Sequence, residues 1–190
     1  MSTTTLLYAN RWVSLYSRDG WVFASRRAVG APIGIDAVTV IALHAEGGRD
    51  TPHRLVVIEE YRVPVGGWEF GLPAGLLDAG EVIEGCAARE LGEETGLRVV
   101  EALEASGLTY SSPGLCDESQ AFVVVRCSGT PSLNPGIGGE RIRVHLLTQS
   151  GCRELLARNA AGEVAITSRA WPLLVAVAYS GAFAGIPIAP

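Results

Sequence analysis

Basic charge is scarce in this chain: 15 Lys and Arg stand against 20 Asp and Glu, for a formal net charge of −5 over 190 residues. A protein that grips phosphate backbones without reading bases carries a basic surplus, so nucleic acid is excluded as the expected partner. Cysteine is sparse too. Cys86, Cys116, Cys127 and Cys152 form no Cys-x-x-Cys pair and lack the histidine spacing of a zinc site, which excludes a disulfide scaffold or zinc module and leaves reduced cytoplasmic thiols as the expectation. Only three histidines occur, His44, His53 and His145, and none has a triad-like or metal-like partner nearby in sequence. The first residues, MSTTTLLYANRW, lack the basic n-region and apolar run of a secretory leader. One uncharged stretch, AWPLLVAVAYSGAFAGIPIAP, is about long enough to span a bilayer, but Pro172, Pro187 and its Gly and Ala content point instead to a buried helix. That helix is expected from Thr167 or Ser168 to Tyr179, followed by a loose Gly-rich tail.

The remaining composition is globular: 48% hydrophobic, 18% charged, 23 Gly and 10 Pro. A chain of this length suits one domain and buries roughly 70% of the surface its unfolded form exposes. Short alternating or apolar runs at WVSLYS, WVFASR, AVTVIALH, RLVVIEEYR, AFVVVRC and RIRVHLL predict strands, punctuated by turns at Asp19-Gly20 and Gly47-Gly48. In RIRVHLL, Ile142, Val144 and Leu146 fall on one face and Arg141, Arg143 and His145 on the other. A central helix follows Gly80, and another is expected near residues 151–160. The segment to about Ile33 reads as an appended hairpin.

The central helix is unusually acidic. Asp78, Glu81, Glu84, Glu90, Glu93 and Glu94 lie against the single cation Arg89. At about 100° per residue Glu90 and Glu94 share a face and Glu93 sits at its edge, an arrangement that like-charge repulsion disfavours. Arg89 can neutralise one carboxylate, Glu93 or Glu81, but not the cluster. A divalent cation with octahedral oxygen ligands can do so, and a solvated acidic face is the other reading. Gly71, Pro73, Gly75 and Gly80 let the preceding loop turn sharply and approach a ligand.

Gly75, five residues, Glu81, seven residues, then Arg89-Glu90-Leu91-x-Glu93-Glu94-x-Gly96-Leu97 resembles the Nudix box at every defined position. The resemblance implies an α/β fold, an α/β/α sandwich around a mixed sheet, with residues 34–190 as the Nudix hydrolase domain. Residues 1–33 then form an N-terminal strand extension at a dimer interface. It implies Glu90 and Glu94 as principal metal ligands, Glu93 as a further ligand or water partner, Ala74 as a carbonyl ligand, and Arg89 as the residue orienting the glutamates. The expected cofactor is Mg²⁺, with Mn²⁺ as the alternative.

Flanking segments narrow the resemblance. VVIEEYRVPVGGWEFGLPAGLLDAGE and the Ser-Pro-Gly around Pro113 are similar to the ADP-ribose and nucleotide-sugar pyrophosphatase subgroup. That implies hydrolysis of a nucleoside diphosphate sugar to a nucleoside monophosphate and a sugar phosphate by a homodimer. Two other readings belong to the same box: a nucleoside triphosphate or dinucleoside polyphosphate hydrolase, and a non-catalytic ligand-binding regulator. Two residues depart from the subgroup, Glu60 where Gln is usual and Gly71 where Glu is usual. Arg62 is the candidate cation for the diphosphate because its planar fork suits phosphate oxygens. Trp12, Trp21 and Trp68 are candidates to stack a base or line a dimer seam. For the general base, Glu140 at the end of LNPGIGGE is favoured over Glu118 and Glu93, with the glycines at 136, 138 and 139 expected to make a mobile loop.

Overall fold

The computed structural model describes residues 3–47, 51–132 and 139–190. Gly48 of the expected Gly47-Gly48 turn, and Gly136 and Gly138 of the expected mobile loop, lie outside them. Three short strands come first, β1 (Thr5–Ala9), β2 (Ser14–Arg18) and β3 (Trp21–Ser25), paired antiparallel in chain order. The sequence led us to expect a two-stranded hairpin here. β1 was missed because all five of its residues are exposed, so it has no alternation to reveal it.

The main sheet contains β4 (Ala37–His44), β5 (Arg54–Arg62), β6 (Gly67–Gly71), β7 (Ala74–Leu76), β8 (Arg98–Ala105), β9 (Thr109–Tyr110), β10 (Ser119–Ser128), β11 (Ile142–Leu147) and β12 (Ala165–Ile166). Its main path runs β12-β6-β5-β4-β10-β8, with β11 paired to β5, β7 to β4 and β9 to β10. Most pairs are antiparallel, but β10 runs parallel to β4 and β12 parallel to β6, so the sheet is mixed.

Helices cover both faces, and neighbouring residues of β4 and β5 divide between them as the two-residue period of a strand demands. Val38, Val40, Ala42 and Val56 pack with Cys86, Ala87 and Leu91 of α1 (Ile83–Thr95). Leu43, Leu55 and Val57 pack instead with Cys152 and Leu155 of α2 (Gln149–Ala160) and with Leu173, Leu174 and Val177 of α3 (Ala170–Ser180). The result is an α/β/α sandwich around a mixed sheet, as expected.

At 11 residues α3 is about 17 Å long, far short of a bilayer core of about 30 Å. Among the described residues no helix is long and apolar enough to cross a membrane. Pro172 is accommodated because it lies in the first turn, where its missing N–H has no helical partner to lose. The tail after α3 is not loose, contrary to expectation. β13 (Ala182–Phe183) and β14 (Ile186–Pro187) form a hairpin whose two turn residues, Ala184 and Gly185, both have positive φ. Ile186 and Ile188 are buried, and His53 exchanges backbone hydrogen bonds with Pro187 and Ala189 at 2.9 and 2.7 Å.

The N-terminal sheet is fastened to the body through Arg27, which donates from Nε to Asp36 Oδ1 at 2.9 Å and from Nη2 to Ser119 Oγ at 2.7 Å. Ala24 also accepts from Asp117 N at 3.2 Å and donates to Leu115 O at 2.9 Å.

Candidate active site

β7 and α1 build the site together. β7 pairs with β4 through Thr39↔Ala74, Val38↔Gly75 and Ala37↔Leu76, and α1 lies against it. The face of α1 that packs on the sheet carries Cys86, Ala87 and Leu91, and Glu90 and Glu94 fall on that same buried face. They are 8% and 5% exposed, so these carboxylates are core residues of the helix rather than solvated ones. The solvated-face reading of the acidic helix therefore fails for this pair.

Gly75 makes room for one of them. A Cβ built at this position would land on the Glu90 carboxylate, well inside the 3.0 Å that real side chains respect. The glycine is required by space, because its φ is not positive. At the far end Gly96, with φ of 74°, closes α1 by donating its N–H to Gly92 O.

Arg89 organises the cluster. Its Nη1 donates to Glu90 Oε1 at 2.6 Å and to Glu93 Oε2 at 3.3 Å, while Nε and Nη2 fork onto Glu81 at 3.0 and 2.9 Å. Nη2 also donates to Leu76 O at 3.0 Å, tying the helix to β7. The Arg89 hydrogen bonds hold the Glu81 carboxyl down at about 2, with the Asp78 amide contributing. One guanidinium thus binds three carboxylates, where the sequence suggested one.

Glu94 receives no such cation. Its Oε2 accepts from Ala74 N–H at 3.0 Å, and Ala74 enters the site through that amide. Burial pushes the Glu94 carboxyl up to about 8, and the charges of Glu60, Glu90 and Glu140 push the same way. Burial raises Glu90 as well, with Arg89 opposing it, and raises Glu60, with Arg62 opposing it. Among the described residues no group of three His, Cys, Asp or Glu side chains stands arranged as a metal cage. The donor chemistry nonetheless fits a hard divalent cation: all-oxygen, buried and short of positive charge at Glu94.

Other expected residues fall into three groups. Arg62 and Glu140 adjoin the cluster. Arg62 donates to Glu60 at 2.9 Å and to Glu69 at 3.2 Å, so it is already shared between two carboxylates, and Glu69 occupies the neighbourhood that Gly71 leaves without an acid. Glu140 stands two residues before β11, whose Ile142 pairs with Glu60, and its charge is felt at Glu60, Glu90 and Glu94.

Trp21 and Pro113 share a second place. With Tyr16, Phe23, Tyr110 and Arg27 they line a cavity of about 650 Å³ between the N-terminal sheet and the 110–117 loop. Glu118, next to the lining residue Asp117, pairs with Arg26 at 2.8 Å and does not itself line the cavity.

Trp12 and Trp68 join neither. Trp12 is 63% exposed beneath Arg11 and does not line the cavity. Trp68 is engaged by two cations, with Arg143 at 4.1 Å and Arg141 at 5.1 Å from its ring centre, and Tyr61 lies edge-on. It braces β6 against β11.

Sequence reasoning missed Arg169. It precedes α3 and reaches a cleft that also has Thr39, Glu60, Arg62, Gly71 and Ala74 in its walls. Its partner Thr39 is 130 residues away, and Ser-Arg-Ala carries no local sign of that meeting.

Comparison with known proteins places the chain in a family. A putative nudix hydrolase 2 of Caenorhabditis elegans is 38% identical over 109 residues, 57% of this chain and 48% of that protein. An ADP-ribose pyrophosphatase of Saccharomyces cerevisiae is 34% identical over 99 residues, 52% of this chain and 41% of that one. An ADP-sugar pyrophosphatase of Mus musculus is 34% identical over 110 residues, 54% and 49% respectively. The chain spans about half the length of the curated relatives it matches. A crystal structure of an ADP compounds hydrolase superposes with a TM-score of 0.58 over 92% of this chain and 91% of that one, at 21% identity, which speaks to the fold alone. The family model of the NUDIX domain matches residues 35–164 and encloses β4 through α2, with every box residue described above, and to that family the chain belongs.

Proposed function

We propose that this protein is a divalent-metal-dependent pyrophosphatase that hydrolyses the diphosphate of ADP-ribose or a related nucleoside diphosphate sugar. The products are a nucleoside monophosphate and a sugar phosphate. The observation that carries this reading is the buried pair Glu90 and Glu94, held beside the Gly75 backbone with Arg62 and Glu140 at its border. Relatives named ADP-ribose pyrophosphatase and ADP-sugar pyrophosphatase support the substrate class.

Glu90, Glu93 and Glu94, with the backbone of Ala74, are the residues that would hold Mg²⁺ or Mn²⁺. When bound, such an ion neutralises diphosphate charge and lowers the pKa of the attacking water. The protein's own part is orientation and proton transfer. Arg89 fixes Glu90 and Glu93, and Arg62 offers its fork to phosphate oxygens. Glu140 accepts the proton of the water whose oxygen bonds to phosphorus, and the electrons of the broken P–O anhydride bond leave with the departing phosphate.

Trp21 and Pro113 place the base or sugar in the 650 Å³ cavity. Leu6, Leu7, Tyr8, Val13 and Val22 leave the N-terminal sheet with much exposed apolar surface, and we assign that surface to a homodimer seam. Residues 1–33 are then an extension serving that seam, and a reduced cytoplasmic compartment suits the four free thiols.

The test is a hydrolysis screen across nucleotide sugars, dinucleotides and triphosphates in Mg²⁺, Mn²⁺ and EDTA. Products should be a monophosphate pair from ADP-ribose-like compounds, and EDTA should abolish them. Preference for triphosphates, or full activity with chelator, refutes the proposal.

A further inference from the structure

Arg169 presents a half-buried cation on neutral partners. Its Nη1 donates to Gln120 Oε1 at 2.6 Å and to Thr39 Oγ1 at 3.2 Å, and those two buried side chains are themselves joined at 2.8 Å. Among the described residues neither Nε nor Nη2 has a hydrogen-bond partner, and no carboxylate lies within ion-pair distance. Burial lowers the Arg169 pKa, while Glu118 and Glu69 pull it upward from farther away. A desolvated guanidinium without an anion is costly to keep.

Gly71 explains why the anion is missing. A side chain at 71 would meet Thr167 Cγ2 at 3.3 Å, at the wall of the cleft that Arg169 enters. A glutamate there, the residue the resemblance leads one to expect, would put a carboxylate into the cleft. Glycine leaves the guanidinium with Thr39 and Gln120 alone.

We infer that Arg169 binds an anionic oxygen of the substrate diphosphate through Nε and Nη2, with the Thr39–Gln120 pair as its brace. This rests on the diphosphate hydrolase reading above. The planar fork matches phosphate oxygens, and Arg169 surrenders no ion pair to make the contact, whereas Arg62 must leave Glu60 or Glu69. Free space in the cleft is about 20 Å³ and Glu60 and Glu69 share its walls, so the anion enters as the Arg62 side chain, 44% exposed, turns from those carboxylates onto the same diphosphate.

Calorimetric titration of inorganic pyrophosphate into Mg²⁺-saturated protein tests the assignment. Arg169→Gln should weaken pyrophosphate binding about tenfold or more, and Arg169→Lys should weaken it less. With nucleotide sugar, Arg169→Gln should raise KM more than it lowers kcat. Gly71→Glu keeps Arg169 in place but gives it an internal anion, and should weaken pyrophosphate similarly, which preserves the test if Arg169→Gln misfolds. Wild-type pyrophosphate affinity in folded Arg169→Gln, or unchanged or tighter affinity in Gly71→Glu, overturns the inference while leaving the hydrolase reading intact. A wild-type protein that neither binds pyrophosphate nor hydrolyses any nucleoside diphosphate compound overturns both.

Discussion

Gly75→Ala is the smallest change that should separate the fold from the chemistry. The new methyl group would occupy the space of the Glu90 carboxylate, so either Glu90 rotates away or β7 moves. In the first case the 2.6 Å hydrogen bond from Arg89 breaks, at about 1.5–3 kcal/mol for a charge-assisted bond. In the second, overpacking between β7 and α1 costs about 1–3 kcal/mol. Both routes cost a similar amount, and at about 2 kcal/mol a domain of this size loses about 4–8 °C in melting temperature, well short of unfolding. Turnover should suffer far more, by about a hundredfold or beyond, because the displaced group is a proposed metal ligand and misplacement by an ångström suffices. The assay pairs thermal melting with initial rates on ADP-ribose in saturating Mg²⁺. Wild-type turnover together with a wild-type melting temperature would show that Glu90 does not work from the position described.

Glu140→Gln should abolish most turnover at saturating metal and substrate, while Glu118→Gln stays near wild type because Glu118 is committed to Arg26; the reverse result moves the base to the 110–118 segment. Glu81 has a folded pKa held at about 2 by Arg89, so its stabilising effect is complete above the unfolded value of 4.5 and disappears as pH falls from 4.5 through 2. Glu81→Gln should therefore flatten the melting-temperature profile across that window, and an unchanged slope refutes the pairing. Iodoacetamide at pH 8 should label Cys116 alone in the native protein, since burial pushes Cys86 and Cys127 up to about 12 and Cys152 up to about 11; early modification at any of those three, read by mass spectrometry, contradicts the packing. Light scattering at micromolar concentration should give a dimer mass, and a fully active monomer removes the role given to the N-terminal sheet.

Fixed spacing made the metal helix legible before any coordinates. Gly75, Arg89, Glu90 and Glu94 act within twenty residues of one another, and local geometry carries their relation. β4, β5 and β10 were equally plain because each is buried, and their apolar runs have no other use. β8 was not seen, since RVVEALEA is half-exposed and mixes residues that favour helices with those that favour strands. β7 was read as part of the glycine-rich loop before the helix and β6 was not read as a strand, because pairing with β4 and β5 is decided by partners outside the segment. Arg169 was invisible for the same reason. Its environment consists of Thr39, Gln120 and Gly71, which only the completed sheet collects.

The parallel pairing of β10 with β4 has a kinetic consequence. Thr39 and Gln120 touch at a sequence separation of 81, so their contact closes one of the long loops of the chain. Loop-closure entropy grows slowly with length, by about 0.6 kcal/mol per doubling, but it is lost before the contact returns anything. The local hairpins β1–β2–β3 and β5–β6 can form early, whereas the brace beneath Arg169 forms only when the centre of the sheet does. Recovery of pyrophosphate binding during refolding should then coincide with the slow, sheet-forming phase, making the cleft a reporter of complete folding rather than of any fragment.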